Sequence, residues 1–427
     1  MVDPGDSSAA GGRYFIETLG CPKNQVDSDK LEGTLIADGM TAAVSADEAD
    51  LIVVNTCAFI EEAREESIHT ILSLDHNRAE DAKLVVTGCM AERYGDELAE
   101  ALPEADSIAG FGVPVTIGAK PSASAPLLDL LHLPRPPSKS PWAYVKIAEG
   151  CDRNCGFCAI PTFRGPQRSR TIEDICAEVD QLQAKEIVLV AQDLAAFGRD
   201  QGKGERAIVP LVRAVSERAE WVRLLYLYPS DLTDPLIDAI CDTGVPYFDL
   251  SLQHVSRPLM RRMRRWGSGE VFLERVEAIR AREPDAAFRS NFIVGYPGET
   301  EEDHDALIDF ISQARLDWCG FFSYSKEDGT YAADLDGQVD TGLVSERLAE
   351  LREIQDLITE EKRDELIGRE VKVLVDDVGV ARSHREAPEI DGIIEVPRTL
   401  ETGSFATVTV SNAAGPDLEA STTGAGQ

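Results

Sequence analysis

A chain of 427 residues, 43% of them hydrophobic, has room for two to four domains of about 100–200 residues each and for a sizeable core. Its formal net charge of −34 excludes a passive, globally cationic nucleic-acid binder; it suits a cationic protein partner, the plain alternative being solubility alone. No apolar run approaches the roughly 20 residues that span a bilayer, and residues 1–12 hold neither the basic nor the apolar stretch of an export signal, so a cytoplasmic protein with a short disordered tail at 1–12 is expected.

The first block covers 13–120. Arg13–Leu19, Asp50–Asn55 and Lys83–Thr87 read as strands, the last two apolar on both faces. Helical patterns at Asp27–Asp38, at Glu61–Leu74 and up to Leu102 separate them. This alternation predicts an α/β domain with a parallel sheet buried on both faces. Cys21, Cys57 and Cys89 each stand one or two residues beyond the end of one strand. Open parallel sheets bind ligands outside the carboxyl ends of their strands. Three thiols far apart in sequence are therefore expected at one rim, as ligands of a cluster with one iron left open. The alternative is three small buried residues in tight turns.

Six prolines between Pro121 and Pro141, together with serines, mark 121–141 as a linker. The second block, 142–366, alternates strands (Ala143–Ala148, Glu186–Ala191, Arg223–Leu227, Tyr247–Leu252, Ser290–Gly295, Cys319–Tyr324) with helices (Thr171–Ala184, Pro210–Glu217, Asp234–Thr243, Gly269–Ala281, Glu301–Ala314). That pattern predicts a partial (β/α)6 barrel with its chemistry at the C-terminal rim. Ser345–Leu366 reads as one long helix. In the third block, 368–427, Val371–Val375 and Phe405–Val410 alternate with a period of two, predicting a small all-β, OB-like barrel with a frayed end from about Ser421.

Nine cysteines without an export signal favour metal or cluster binding over disulfides. The run Cys151-Asp-Arg-Asn-Cys155-Gly-Phe-Cys158 follows the first barrel strand directly. Three thiolates so spaced can hold three irons of a four-iron cluster and leave the fourth open for chemistry. The alternative is a zinc knuckle, but no fourth Cys or His lies within about ten residues. Gln192 and Asp193 end the second strand, and Ser251, Gln253 and His254 end the fourth. Gln192, Asp193, Gln253 and His254 are the polar rim candidates for catalysis, with a satisfied rim histidine the equal reading for His254. Cys176, Cys241 and Cys319 lie in helices or at a strand start and are expected to have no cluster role.

The Cys151/Cys155/Cys158 run, with the barrel around it, resembles the radical S-adenosylmethionine superfamily. The resemblance implies that the open iron chelates S-adenosylmethionine. It also implies that Phe157 packs near the adenine, and that Asn291-Phe-Ile293-Val-Gly295-Tyr-Pro-Gly-Glu-Thr300 lies against the adenine, with Ile293, Gly295 and Ser251 as cofactor contacts. Core packing for Phe157 and an ordinary strand-to-helix turn for 295–300 are the alternatives. The five arginines of Arg257–Arg265 read as a cofactor-carboxylate or RNA contact, or as a solvated helix face. The three blocks together resemble the methylthiotransferase family: an N-terminal three-cysteine domain, a radical barrel and a C-terminal TRAM barrel. By that resemblance there are two [4Fe–4S] clusters. The first carries the sulfur, which one S-adenosylmethionine methylates, and the second cleaves another S-adenosylmethionine to a radical that activates the substrate carbon. A reductant protein is implied as a partner.

Leu19-Gly-Cys-Pro-Lys-Asn24, Cys158-Ala-Ile-Pro-Thr-Phe-Arg-Gly165 and Ala387-Pro-Glu-Ile-Asp-Gly392 resemble the branch that modifies an aspartate β-carbon of the twelfth small-subunit ribosomal protein. The other branch modifies a tRNA adenosine. Charge argues the same way: 369–427 holds five Arg/Lys and ten Asp/Glu, net −5. A tRNA-docking domain should be basic, whereas an acidic one suits a basic ribosomal protein and makes direct RNA binding the weaker reading. Asp376 and Asp377 are candidate contacts, with solvated surface as the alternative. The stretch 194–197 departs from the family pattern in a region expected to line the substrate path.

Overall fold

The computed structural model describes residues 11–115, 128–202 and 206–422. The tail expected at 1–12 thus lies outside the described residues except for Gly11 and Gly12, as do Pro121 and Pro126 of the linker. The chain forms two compact units, one of Met1–Pro136 with Thr162–Gly165 and one of Pro137–Pro161 with Pro166–Gln427.

In the first unit the elements run β1 (Arg13–Thr18), α1 (Pro22–Ala37), β2 (Thr41–Ala42), β3 (Leu51–Thr56), α2 (Glu61–Asn77), β4 (Lys83–Gly88), α3 (Cys89–Ala101) and β5 (Ser107–Ala109). The five strands pair in parallel in the order β2-β1-β3-β4-β5. Leu51, Ile52, Val53 and Val54 are fully buried, because a central parallel strand is covered on both faces. The short edge strands β2 and β5 lack a run long enough to stand out in sequence. The described end of the linker packs on this unit: Lys30 Nζ donates to the Leu131 carbonyl at 2.7 Å, and Arg135 pairs with Asp29.

The second unit begins with β6 (Trp142–Lys146), β7 (Ala148–Glu149), α4 (Ile160–Arg164, which crosses into the first unit), β8 (Arg168–Ser169) and α5 (Ile172–Leu182). It continues with β9 (Glu186–Val190), α6 (Ile208–Ser216), β10 (Trp221–Leu224), α7 (Asp234–Cys241), β11 (Tyr247–Gln253) and α8 (Arg257–Arg262). Next come α9 (Gly269–Arg282), β12 (Ala287–Val294), α10 (Glu301–Ala314), β13 (Trp318–Ser323) and α11 (Thr341–Asp364). Two parallel sheets, β10-β9-β6 and β11-β12-β13, are joined by a parallel bridge between Leu227 and Leu250. The result is a six-stranded partial barrel. Helix α10 starts where the sequence places it because Thr300 and Asp303 form a capping box. The 194–197 stretch is buried, with Leu194, Ala195 and Phe197 in the barrel core. Its apolar side chains pack into that core just beyond the C-terminal end of β9.

β14 (Glu370–Asp377), β15 (Val380–Arg382), β16 (Ile394–Glu395), β17 (Phe405–Ala414) and β18 (Asp417–Thr422) close into a small barrel. Ser421 and Thr422 pair with Thr409 and Val408, so the chain is still in register where fraying was expected. The loop that follows β15 plugs the N-terminal ends of the large barrel's strands. Arg382 and Arg223 both pair with the fully buried Glu186, at 2.9 and 2.7 Å. Tyr247 Oη donates to Asp391 at 2.6 Å, Tyr144 Oη to the Pro388 carbonyl at 2.9 Å, and Trp318 Nε1 to the Arg385 carbonyl at 2.7 Å. Burial alone would raise the Glu386 carboxyl, but Arg363 and Ser383 outweigh it and hold it at about 2. Removing one partner of such a buried pair costs about 3–5 kcal/mol. Asp376 belongs to this network, bonded by Arg382 at 2.9 Å, and is not a free surface contact as expected; Asp377 is exposed.

Candidate functional site

Cys21, Cys57 and Cys89 converge in the first unit because of how their turns are built. Gly20 and Gly88 have φ of 93° and 91°, a left-handed backbone that lets the chain turn sharply at the ends of β1 and β4. A Cβ at Gly20 would stand 2.9 Å from Cys57 Sγ, so glycine is required there for packing as well. Cys21 caps the N-terminus of α1 and Cys89 opens α3, placing both near positive helix ends. Asn24 ties the turns together: its Nδ2 donates to the Leu19 and Thr56 carbonyls at 2.9 and 3.0 Å. Burial pushes the Cys57 thiol up to about 12, reinforced by Cys21 and Cys89. Burial raises Cys89 too, opposed by Arg164. At Cys21 burial also acts upward, but Lys23, Arg164 and backbone N–H groups outweigh it and the net shift is downward.

Cys151, Cys155 and Cys158 lie beyond the C-terminal end of β6, on a loop whose two ends are pinned by the β7–β8 ribbon. Burial pushes Cys151 up to about 11 and Cys158 up to about 12. N–H donors already point at the sulfurs: Arg265 Nη1 to Cys155 at 3.2 Å and the Arg153 backbone N–H to Cys151 at 3.4 Å. Such bonds tune iron–sulfur clusters. Among the described residues no three His, Cys, Asp or Glu side chains converge tightly enough for a single ion. A four-iron cluster instead takes each thiolate on a different iron, so this donor set fits a cluster.

The rim around this loop holds most of the candidate residues. Asp193, 4% exposed, accepts from Arg153 Nε at 2.6 Å, yet burial still pushes its carboxyl above the ordinary range. Gln192 Nε2 donates to Glu149 at 2.7 Å, and Lys146 pairs with the same carboxylate at 2.8 Å. Ser251 offers its carbonyl to Arg265. Gln253 ends β11 with φ 72°. Phe157 and Ile293 are half-buried against the barrel core. His254 is fully buried; burial lowers it to about 4, and its Nδ1 accepts from the Ser256 N–H at 3.1 Å. The space that a Cβ at Gly295 would need is taken by Val344 of α11, so packing within the chain already requires glycine there.

Sequence reasoning missed the charged frame of this loop. Arg153 also pairs with Asp231, which Arg206 holds from the other side at 2.5 Å. Arg153 and Arg265 lie over Tyr228 at 3.9 and 4.3 Å from its ring centroid. The 257–265 run is therefore not one solvated face: α8 ends at Arg262, and Arg265 turns inward. Asn24 and Arg164 were missed likewise, although both stand inside motifs quoted for other reasons.

Three family models match along the chain: an uncharacterized protein family, UPF0004, at 13–110, the radical SAM superfamily at 145–311 and the TRAM domain at 367–422. The superfamily implies one [4Fe–4S] cluster and S-adenosylmethionine. "Ribosomal protein uS12 methylthiotransferase RimO" of Moorella thermoacetica is 43% identical over 90% of this chain and 93% of its own. The proteins of the same name from Kineococcus radiotolerans and Aquifex aeolicus are each 40% identical, over 96% and 94% of this chain and 97% and 95% of their own. With such likeness along nearly its whole length, the chain belongs to the RimO family of ribosomal protein uS12 methylthiotransferases.

Proposed function

We propose that this protein attaches a methylthio group to the β-carbon of an aspartate on ribosomal protein uS12, with two S-adenosylmethionine molecules and a reductant protein as electron source. The observation that carries the reading is the pair of separate three-cysteine sites in a chain of this family. Cys151, Cys155 and Cys158 would hold the cluster that binds S-adenosylmethionine, and Cys21, Cys57 and Cys89 a second one. When bound, the first supplies the electron for cleaving S-adenosylmethionine and the second supplies the sulfur.

The residues around them orient and exclude water. Arg153, Asp193 and Asp231 fix the cysteine loop on the rim, and Phe157 and Ile293 give the cofactor an apolar wall. Gln192, Ser251 and Gln253 are the polar groups at the strand ends. Neutral, buried His254 does not move a proton to the substrate in this reading; it shapes the end of β11.

The TRAM barrel suits a basic partner. Glu370, Asp377, Glu389, Glu395, Glu401 and Glu419 are exposed, against the cations Arg369, Lys372 and Arg398. These carboxylates would steer in the ribosomal protein, and a ribosomal substrate suits a reaction in the cytoplasm. Among the described residues no helix is long and apolar enough to cross a membrane.

The test is a deletion strain. Intact mass of the ribosomal protein should fall by one methylthio group and recover on complementation. An unchanged mass with an altered tRNA adenosine would move the reading to the tRNA branch. Purified protein that forms no 5′-deoxyadenosine under a strong reductant would reduce it to a binding module.

A further inference from the structure

The stretch Cys158-Ala-Ile-Pro-Thr-Phe-Arg-Gly165 leads out of the barrel cysteine run, and its last four residues, Thr162–Gly165, belong to the first compact unit. Arg164 is buried there. Its Nη2 donates to Cys89 Sγ at 3.0 Å and to Asn24 Oδ1 at 2.9 Å, and its Nη1 donates to Asp27 Oδ2 at 3.1 Å. The guanidinium lies over Phe111, 4.2 Å from the ring centroid. A buried guanidinium is costly unless it is paired and hydrogen-bonded. Asp27 supplies the pair, which leaves the rest of the fork for the thiol side.

Asn24 extends the reach of this arginine. Its amide nitrogen holds the carbonyls of Leu19 and Thr56, in the turns that carry Cys21 and Cys57, while its oxygen accepts from Arg164. One arginine therefore touches one thiol directly and the backbone of the other two turns through a single intermediary. Lysine would keep the charge but not the planar fork that serves Cys89, Asn24 and Asp27 together.

We propose that Arg164 is the positioning residue of the Cys21/Cys57/Cys89 site: it holds the three turns in register and fixes a positive charge beside the thiolates that would ligate a cluster. The inference rests on the proposal that these cysteines hold one. Hydrogen bonds to sulfur and local charge set cluster potentials. Loss of a supporting hydrogen-bond partner typically costs about 10–100-fold in metal affinity.

The test uses the full chain with Cys151, Cys155 and Cys158 replaced by alanine, so that iron can enter only the first unit on anaerobic reconstitution. Into this parent are introduced Arg164→Gln together with Asp27→Asn, which leaves no unpaired carboxylate, and separately Arg164→Lys. The parent should hold about four irons. The double variant should show a more negative midpoint potential and lose iron to a chelator about 10–100-fold faster. Arg164→Lys should restore part of the potential but little of the retention. Potentials and release rates equal to the parent's in both variants overturn the role of Arg164 while leaving the cluster reading standing; a parent that binds no iron overturns both. If the double variant does not fold, Arg164→Lys decides alone: faster iron loss supports the role and parent-like behaviour ends it.

Discussion

Cys151, Cys155 and Cys158 share one loop, whereas Cys21, Cys57 and Cys89 come from three turns of a parallel sheet. In the loop, spacing of the thiols is a local property of the backbone, but the charges that steady it arrive from distant parts of the chain through Arg265, Asp193 and Asp231. In the sheet the spacing itself is a tertiary property. It depends on parallel register, on two left-handed glycines and on Asn24 as a staple. One site is written into a short motif and supported from afar, while the other exists only once a domain has folded.

That contrast can be broken most directly at the loop. Cys155→Ala should abolish 5′-deoxyadenosine formation and lower iron from about eight to about four per chain; formation that persists would contradict the assignment. Next comes Cys21→Ala, which should lose methylthio transfer while cofactor cleavage stays within about twofold, because the loop's ligands and their supports are untouched. Cleavage lost with transfer would mean that the sites are not independent.

A smaller effect tests the distant support. Asp231→Asn weakens the partner of both Arg153 and Arg206, and should slow cofactor cleavage about 10–100-fold without changing the iron held by the first unit. An unaltered rate would show that the loop needs no such frame. The smallest effect is expected at the remaining cysteines. Cys176→Ala, Cys241→Ala and Cys319→Ala should leave iron unchanged and cost about 1 kcal/mol or less each, as iron titration and denaturant midpoints would show.

The legible parts of the molecule were those with local periodicity. Strands β3 and β4, the barrel order and helix α10 followed from apolar runs, turn residues and the Thr300 cap. The contiguous cysteine run was legible from spacing, and the dispersed set from the recurrence of cysteine after strand ends. What escaped was the pairing of charged side chains. Nothing near Asp376 in sequence signals that Arg382, across a hairpin, will neutralise it, so it read as a surface contact. Arg153, Arg164 and Arg265 carried no local signal of their roles because their partners are 40, 75 and 110 positions away in Asp193, Cys89 and Cys155. At Gly295 the packing that excludes a side chain comes from Val344, far on in the chain, which no local pattern announces.

The plug formed by residues 382–391 makes the C-terminal barrel a foundation of the larger one. A protein truncated before β14 would keep Glu186 and Arg289 in the floor of the large barrel, with Arg223 and Asp249 beside them, while losing one partner of each, Arg382 and Asp391. Domain swaps between relatives would succeed only if the floor residues travel with the loop that meets them. The exposed sides of the small barrel's strands can vary, but the loop that meets the large barrel's floor is already committed to buried pairs.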